Sequence, residues 1–330
     1  MDNIVVSSRI RLARNLHGIP YPHKLKDERA YAVVMKSVAD VLSPFNYKVY
    51  ATNTLSDIDC DVLLEKHLIS KDLILNKEYG GVIISEDETV SIMINEEDHI
   101  RAQCLFSGFN LQKAYEIVNK IDDILLSKLS ISYDSELGFL TACPTNIGTG
   151  MRASVMMFLP AITMNGTVNN VINALSKLGI TIRGVYGEGS SADGYMYQVS
   201  NQISLGLTEQ EIIKNVSNAV LKICEIEENA RRELLKHQTD DIIDSACRAY
   251  GILTNAYKLD SNEFMKLMAK LKFGVCLGFI KLSNVDILDK LIISAQPAHL
   301  MQLKGELIQP NERDIFRAEY VAGMLKNAKI

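Results

Sequence analysis

The sequence lacks the features that mark several large classes of protein. Its six cysteines are widely scattered and form no Cys-x-x-Cys pair, which argues against a disulfide framework or a zinc site. No apolar run reaches membrane-spanning length, and the N-terminus has no basic region followed by an apolar core. These absences predict a protein with free thiols in the cytoplasm.

Two common phosphate-binding patterns are also missing. The chain contains neither the G-x-x-x-x-G-K-[ST] motif nor a kinase-type catalytic loop. The formal net charge is −5 at pH 7, so nothing global favours nucleic acid or an anionic membrane. Any phosphate site must therefore be a local cluster of arginines.

The residues that are present describe an ordinary globular protein. The 330 residues are 47% hydrophobic and 23% charged, and a chain of this length suggests about two domains. Apolar periodicity predicts helices at 27–42, 111–129 and 160–178, strands at 47–52, 180–183 and 195–205, and a hairpin over 82–95.

The character of the chain changes after residue 207. Thr208 and Glu211 form a capping box that opens a long helix, and nearly everything beyond about residue 230 reads as helical. We place a boundary near residues 226–240 and predict domains 1–228 and 229–330. Because the C-terminal helices have large apolar faces and short connections, we predict that they pack on a partner copy to form a homodimer.

The first candidate for anion binding is the β-branched run over residues 3–14. If this run is extended, Arg9 and Arg11 point to one face and Ile10 points to the other. Two neighbouring guanidiniums repel each other unless an anion lies between them, and phosphate suits their geometry. Taken alone, the segment is described equally well as a solvated basic edge strand.

Acidic groups follow the predicted hairpin, in the sequence Asn95-Glu96-Glu97-Asp98-His99-Ile100-Arg101. Ends of buried strands commonly carry catalytic groups, so this segment is a candidate catalytic segment. A solvated acidic loop and a divalent-metal site are the alternatives. Metal binding is the weaker of these, because contiguous residues converge on one ion only through an unusual turn.

A glycine-rich turn follows Cys143-Pro144, with Gly148 and Gly150 allowing close approach of the backbone to a ligand. The apolar run from 151 to 159 predicts a helix, whose first turn would place Arg152 and free N–H groups beside an anion. A thiol in such surroundings tends to ionise readily. The alternative is that Cys143 is a small buried residue and that the glycines form only a turn.

A second glycine-rich segment, residues 184–194, is predicted to be a mobile loop that closes over a ligand. Arg183 precedes it and Glu188 lies within it. The five arginines at 9, 11, 101, 152 and 183 would stabilise the charge of a triphosphate during phosphoryl transfer, while carboxylates would orient a cationic acceptor.

Three of these segments resemble the guanidino (phosphagen) kinase family: residues 5–11, residues 95–101 and residues 143–154, including Cys143-Pro-Thr-Asn. Within the family, the chain is most similar to the bacterial protein-arginine kinases of the McsB type. It begins almost directly at the arginine strand, without the helical N-terminal domain of the small-molecule kinases. It also has Tyr186 where those enzymes usually have another arginine, and it carries the element Arg313-Asp314-Ile-Phe-Arg317-Ala318.

The resemblance implies an α+β fold, with a catalytic domain of mainly antiparallel sheet flanked by helices and an all-α C-terminal domain. It implies that Arg9, Arg11, Arg101, Arg152 and Arg183 bind the phosphates of ATP, with Mg²⁺ held mainly by those phosphates and by no protein metal site. It further implies that Glu97 and Glu188 hold and help deprotonate the acceptor guanidinium, and that Cys143 contacts it. One departure is Ser191, at a position often acidic in the family.

The resemblance also implies a second site and a set of partners. Arg313, Asp314 and Arg317 match an element that reads phosphoarginine, so we expect an allosteric role for them; an exposed helix with ordinary charges is the alternative. Expected partners are protein substrates with exposed arginines, an activator of the McsA type and the Clp protease machinery. The expected role of the protein is to mark stress-damaged proteins or a repressor for degradation. Two other functions remain open: a metabolite kinase acting on free arginine, and a non-catalytic protein that binds phosphoarginine or nucleotide.

Overall fold

The computed structural model describes residues 3–25, 27–184 and 193–326. The strands in these ranges are β1 (Val5–Arg14), β2 (Lys48–Ala51), β3 (Gly81–Ile84), β4 (Val90–Ile94), β5 (Ile100–Ser107), β6 (Tyr133–Asp134), β7 (Gly138–Phe139), β8 (Met151–Phe158), β9 (Ile180–Gly184) and β10 (Met196–Asn201). Within the described residues, eight of them form one antiparallel sheet in the order β2-β3-β4-β5-β1-β8-β10-β9, and β6 and β7 form a separate ribbon.

Helices connect these strands and then continue alone to the C-terminal end of the described chain. The helices of the sheet-containing part are α1 (Glu28–Leu42), α2 (Asp57–Glu65), α3 (Lys71–Leu75), α4 (Leu111–Lys128), α5 (Pro160–Met164), α6 (Val168–Ser176) and α7 (Glu209–His237). They are followed by α8 (Thr239–Asn255), α9 (Ser261–Cys276), α10 (Asp286–Ser294), α11 (Pro297–Lys304) and α12 (Pro310–Lys326). No helix within the described ranges is long and apolar enough to cross a membrane.

One face of the sheet is covered by helices. Alternate residues of the central strands, such as Ile10 and Leu12 of β1 and Val155 of β8, are fully buried against α1, α4, α6 and α7. Burying each such aliphatic side chain contributes about 1.5–3 kcal/mol, so this face forms the main core. The other face of the central strands carries polar and charged residues.

The predicted helix from Met151 is wrong, because residues 151–158 form the central strand β8. Met and Ala favour helices, and the run 155–159 is apolar at every position, so its composition hides the alternation of a strand. β8 is paired with β1 on one side and β10 on the other. These ladders, together with the burial of Ala153 and Val155, override the local preference for helix.

Other predictions for this part of the chain are largely confirmed. The hairpin is formed by β3 and β4, and the helices near 27–42 and 111–129 are α1 and α4. The predicted helix over 160–178 is two helices, α5 and α6, separated by a turn in which Gly166 has a φ of +67°.

Helix α7 passes from the main core into a second one. Its start has the predicted capping box, in which the Thr208 side chain accepts from the N–H of Glu211. Val216 and Ile223 belong to the main core, whereas Leu234 packs with α8, α9, α10 and α12. The predicted boundary at residues 228/229 therefore falls within this helix, which runs without interruption to His237.

Candidate active site

The register of the sheet brings all five predicted arginines to one face. In β1, Arg9 lies opposite Ser154 and Arg11 lies opposite Arg152 of β8. Arg101 of β5 lies opposite Ala13, which is on the same side of β1 as Arg9 and Arg11. Arg183 of β9 lies opposite Gln198 of β10, and Gln198 in turn lies opposite Met156 of β8. Arg183 is therefore on the same face as Arg152 of β8. Directly opposed residues of antiparallel strands share a face, so these side chains form one cluster, which we call the arginine face.

The arginine face is strongly cationic. Burial and the charges of Arg101 and Arg152 lower the pKa of Arg9 to about 10. Burial lowers the pKa of Arg11 well below its ordinary value, and the charges of Arg9, Arg101 and Arg152 lower it further. The buried Nε atoms of Arg11 and Arg152 have no hydrogen-bond partner in the structure. A bound anion would reduce the repulsion between the guanidiniums and would accept hydrogen bonds from the unpaired donors.

A cavity of about 320 Å³ lies over this cluster. It is lined by Arg9, Arg11, Arg152, Arg183, Gly184, Gln198 and Ser200. The larger groove of about 560 Å³ runs between α4 and α7 on the helix-covered side of the sheet, and its lining includes Glu116 as well as lysines. We place the site in the smaller cavity, because that is where unpaired positive charge is concentrated.

Among the described members of the arginine face, Arg101 is the one with an ion pair. Its partner is Glu96, whose Oε2 lies 2.6 Å from Nη1, and Glu96 also accepts a hydrogen bond from Ser70. Burial opposes ionisation of Glu96, but Arg101 and Ser70 outweigh it and leave its pKa lowered. Glu96 is therefore occupied in holding Arg101, which leaves the next residue as the free carboxylate.

That free carboxylate is Glu97, which is exposed although its neighbours on both sides are buried. Partial desolvation, together with the charges of Asp98 and Glu96, raises its pKa above the ordinary value of 4.5. A raised pKa and an accessible side chain are suited to accepting a proton from a bound cation. The geometry therefore distinguishes the two adjacent glutamates, of which the family resemblance singles out Glu97.

A hydrogen-bonded clamp joins the segment of Glu97 to that of Cys143. The Oδ1 atom of buried Asp98 accepts from the N–H of Ala142 at 2.7 Å and from Nδ2 of Asn15 at 2.6 Å. Asn15 also donates to the carbonyl of Leu140. Because Asp98 and Ala142 are the immediate neighbours of Glu97 and Cys143, this clamp joins the two segments that carry the functional candidates.

His99 takes part in the same structure rather than in chemistry. Its Nδ1 accepts from the N–H of Leu16 at 3.1 Å and its Nε2 lies 2.9 Å from the carbonyl of Pro20, which assigns the proton to Nε2. Burial lowers its pKa, so the ring is neutral and both nitrogens are used.

Cys143 is half-buried, with its Sγ 3.1 Å from Oγ1 of Thr145. It precedes a three-residue 3₁₀ turn, Pro144–Asn146, and not the long helix that was predicted. The helix-dipole argument for a reactive thiol is therefore wrong. Proximity to positive charge remains, because Cys143 is close enough to Arg152 to act on its pKa.

His67 was not predicted as a functional residue, yet it lies at the arginine face. It lines a cavity of about 150 Å³ with Arg9, Ser154, Gln198 and others. Burial and the charge of Arg9 lower its pKa to about 4, so the ring is neutral there. Its backbone has a φ of +60°, which places it away from regular structure. No sequence motif marks it, since the contact depends on how the α2–α3 connection folds over the sheet.

Glu188 and Ser191 lie outside the described residues. Among the residues that are described, no group of three or more His, Cys, Asp or Glu side chains is placed to hold a metal ion.

The C-terminal element lies in α12, whose Ala318 belongs to the second core. Arg317 is buried and donates to the carbonyls of Ala295 (2.9 Å) and Leu259 (2.8 Å), as well as to Oδ1 of Asp314 (2.7 Å). The Nη2 atom of Arg317 and the Nε atom of Arg313 are buried without a hydrogen-bond partner in the structure. The element is thus an ordered, incompletely satisfied arginine pair.

Comparisons with known protein families cover most of the chain. Residues 31–230 match the family model of the ATP:guanido phosphotransferase C-terminal catalytic domain, and residues 239–329 match that of the protein-arginine kinase McsB C-terminal domain. A protein-arginine kinase of Clostridium tetani is 46% identical over 332 residues, covering 99% of this chain and 97% of that protein. A protein-arginine kinase of Caldanaerobacter subterraneus is 43% identical over 328 residues, covering 98% and 97%.

Solved structures agree with these matches. The duplicated taurocyamine kinase from Schistosoma mansoni, with bound components of a transition-state analogue, superposes with a TM-score of 0.61 at 28% identity. The match covers 68% of this chain and 33% of that duplicated enzyme.

Proposed function

Because this chain belongs to the protein-arginine kinases of the ATP:guanido phosphotransferase family, we propose that its arginine face binds the phosphates of ATP while Glu97 and Cys143 receive the acceptor arginine. The family, the enzyme class and the antiparallel fold predicted from the sequence are confirmed by the comparisons. The individual site residues are our assignment. Its main support is the register that places five arginines on one face.

The arginines are suited to binding ATP, the phosphoryl donor. Four of them, Arg9, Arg11, Arg101 and Arg152, are half-buried, and Arg183 is exposed at the rim. A triphosphate placed among them would pair with the unused Nε donors of Arg11 and Arg152. His67 faces the same region as a neutral ring and is proposed to contact the nucleotide beside Arg9.

The acceptor side requires a base, because a guanidinium is a poor nucleophile while protonated. Glu97 would hold the acceptor guanidinium and accept one proton from it. The freed terminal nitrogen then forms a bond to the γ-phosphorus, and the bond from that phosphorus to the bridging oxygen breaks, leaving ADP. Cys143 would contact the acceptor, and Glu188, outside the described residues, is proposed as a second carboxylate.

Mg²⁺ is proposed to accompany ATP and to be held mainly by the nucleotide phosphates. Its chemistry would be to neutralise charge on those phosphates. Within this chain, the cationic donor set of the arginine face suits the phosphate oxygens themselves, and the buried acid Glu96 is already bonded to Arg101.

We further propose that the arginine pair of α12 is a regulatory site for phosphoarginine. The two unpaired buried donors, on Arg313 and Arg317, would suit the phosphoryl oxygens. A short path leads to the catalytic part: Arg317 binds the carbonyl of Ala295 just before α11, and Glu65 of α2 accepts from the N–H groups of Ala298 and His299 at the start of α11.

Substitution at this pair is expected to separate regulation from ATP binding. Arg313→Met removes a half-buried guanidinium. The main-chain hydrogen bonds made by Arg317 remain in this variant, so the fold should be kept. We expect free phosphoarginine to stop stabilising this variant, since its affinity should fall about tenfold or more. The measurement is the melting temperature with and without phosphoarginine, alongside the MgATP dissociation constant.

The control is Arg248→Met, which removes an exposed arginine of α8. It should respond to phosphoarginine like the unmodified chain. An undiminished response of Arg313→Met and of Arg317→Lys would exclude the regulatory site.

The remaining assignments are also proposals. Residues 1–228 are the catalytic unit, and residues 229–330 form the dimerisation and regulatory unit. The protein works in the cytoplasm as a homodimer or higher assembly with an activator of the McsA type. It marks stress-damaged proteins or a repressor for the Clp protease machinery.

The function is tested by offering two acceptors in parallel. With MgATP, we expect an unfolded arginine-rich protein to acquire acid-labile phosphate on arginine and free arginine to acquire little, because the matching relatives are protein-arginine kinases. Mass spectrometry of intact peptides identifies the modified residue.

Phosphate on free arginine alone would identify a metabolite kinase instead. Transfer to neither acceptor while ATP still binds would favour a non-catalytic binding protein. Loss of the protein signal in Glu97→Gln excludes a contaminating kinase.

A further inference from the structure

The most deeply buried arginine of the sheet has no part in the proposed transfer. Arg14, the last residue of β1, is 1% exposed and lies on the side opposite the arginine face, with the core residues Ile10 and Leu12. Asp122 of α4 accepts from its Nε at 3.2 Å and from its Nη2 at 2.7 Å. Apolar residues often replace such buried pairs without loss of stability, so stability alone does not explain this pair.

The other contacts of Arg14 point to the segment that carries Cys143. We call residues 139–149 the Cys143 loop. Nη1 of Arg14 donates to the carbonyl of Thr149 at 2.9 Å, and its guanidinium carbon lies 3.5 Å from the ring centroid of Phe139. One guanidinium therefore touches both ends of the loop, which are also joined by a bond from the N–H of Phe139 to the carbonyl of Gly148.

Gly150 makes room for this arrangement. Its φ is +63°, and a Cβ built there would lie 2.6 Å from Nη1 of Arg14 and 2.6 Å from the carbonyl oxygen of Ala13. A side chain at this position would displace the guanidinium from Thr149. Directly after this glycine, β8 begins and delivers Arg152 to the opposite face.

We propose that Arg14 is a positioning residue for phosphoryl transfer, fixing the Cys143 loop from beneath so that its upper side meets Glu97. The proposal rests on the assignment of Cys143 to the acceptor side. Asp122 compensates the charge of Arg14 in the core, while the bond to Thr149 and the stacking on Phe139 set the position of the loop. The clamp formed by Asp98 and Asn15 holds the same loop from the side of Glu97.

The test is the double variant Arg14→Met/Asp122→Leu, which removes both buried charges and keeps the volume apolar. We expect its melting temperature to remain near that of the unmodified chain and its kcat to fall by about 10- to 100-fold, the effect of a misplaced catalytic segment. The MgATP dissociation constant should change by less than about twofold. Amide hydrogen exchange over residues 140–149 should become about tenfold faster or more, with the strands β3 and β4 unchanged.

A double variant with full kcat and unchanged exchange in the Cys143 loop would overturn the proposal and reduce Arg14 to a counter-charge for Asp122. If the double variant does not fold, Arg14→Lys decides instead. Lysine keeps a charge for Asp122 but cannot also stack on Phe139 and reach Thr149, so unaltered kcat in that variant would equally overturn the proposal. The exchange measurement is independent of the assigned chemistry. Faster exchange in the loop combined with full activity of Cys143→Ser would contradict the acceptor assignment and not the anchoring by Arg14.

Discussion

Glu97→Gln is expected to lower kcat for protein-arginine phosphorylation by about 10²- to 10⁴-fold, the usual contribution of a positioned general base. The amide keeps the size of the side chain but neither accepts a proton nor carries the charge that holds a guanidinium. Binding of MgATP should be nearly unchanged, because Arg101 is paired with Glu96 and not with Glu97. Initial rates with a protein acceptor, together with MgATP titration, measure the two effects separately.

The pH dependence of the same reaction gives a second test. Transfer needs Glu97 ionised, so kcat should fall as the pH falls through its pKa. Because desolvation and the charges of Asp98 and Glu96 raise that pKa above 4.5, the loss should begin at a higher pH than for an ordinary carboxyl group. The residual activity of Glu97→Gln should lack this acidic limb.

Glu86→Gln is the matched control, since Glu86 is an exposed glutamate in the turn of the β3–β4 hairpin. It should retain full activity and the acidic limb. Activity of Glu97→Gln within a few-fold of the control would remove Glu97 from the chemistry.

Arg11→Met is expected to act in opposite directions on nucleotide binding and on stability. Affinity for MgATP should fall by about 10- to 100-fold, the value of a charge-assisted hydrogen bond in a site of this kind. The nucleotide-free protein should become more stable, with a melting temperature raised by about 2–4 °C. The reason is that Arg11 lies among Arg9, Arg101 and Arg152, with a buried Nε that has no partner in the structure.

Calorimetric titration with MgATP and a thermal scan without nucleotide measure the two effects. Arg29→Met, which removes an exposed arginine of α1, is the control and should change neither quantity. A nucleotide-free Arg11→Met protein that is less stable than the control, with unchanged ATP affinity, would show that Arg11 is a structural residue.

The parts of the site that the sequence predicts correctly depend on short-range geometry. Alternation along one strand is enough to place Arg9 and Arg11 on the same side, and the structure confirms this. The hairpin and the capping box at Thr208 are likewise local. The grouping of Arg101, Arg152 and Arg183 with them was a hypothesis, which the family resemblance supported. Spacing alone could not establish it, because it depends on which strands are neighbours.

The errors and omissions have the same origin. The helix predicted for residues 151–158 is wrong because this strand is paired on both sides, contains three methionines and shows no clear alternation. The pairing of Glu96, which leaves Glu97 free, was not predicted, because it depends on Ser70 and Arg101, which approach Glu96 only after folding. Alternation along β1 already places Arg14 on the side of Ile10, but its partners Asp122 and Thr149 come from distant parts of the chain and are brought to it only by folding.

Helix α7 has a mechanical consequence. With 29 residues it is about 43 Å long, and its described backbone has no break between Glu209 and His237. Oε1 of Glu209, its first residue, lies 3.7 Å from Nη2 of Arg14. Further along the helix, Glu227 accepts from the N–H groups of Ala161 and Ile162, and Leu234 packs in the second core. Because this continuous helix is held at three points, we expect a tilt of the C-terminal helices to be transmitted through Arg14 to the underside of the Cys143 loop and not to be absorbed at a hinge.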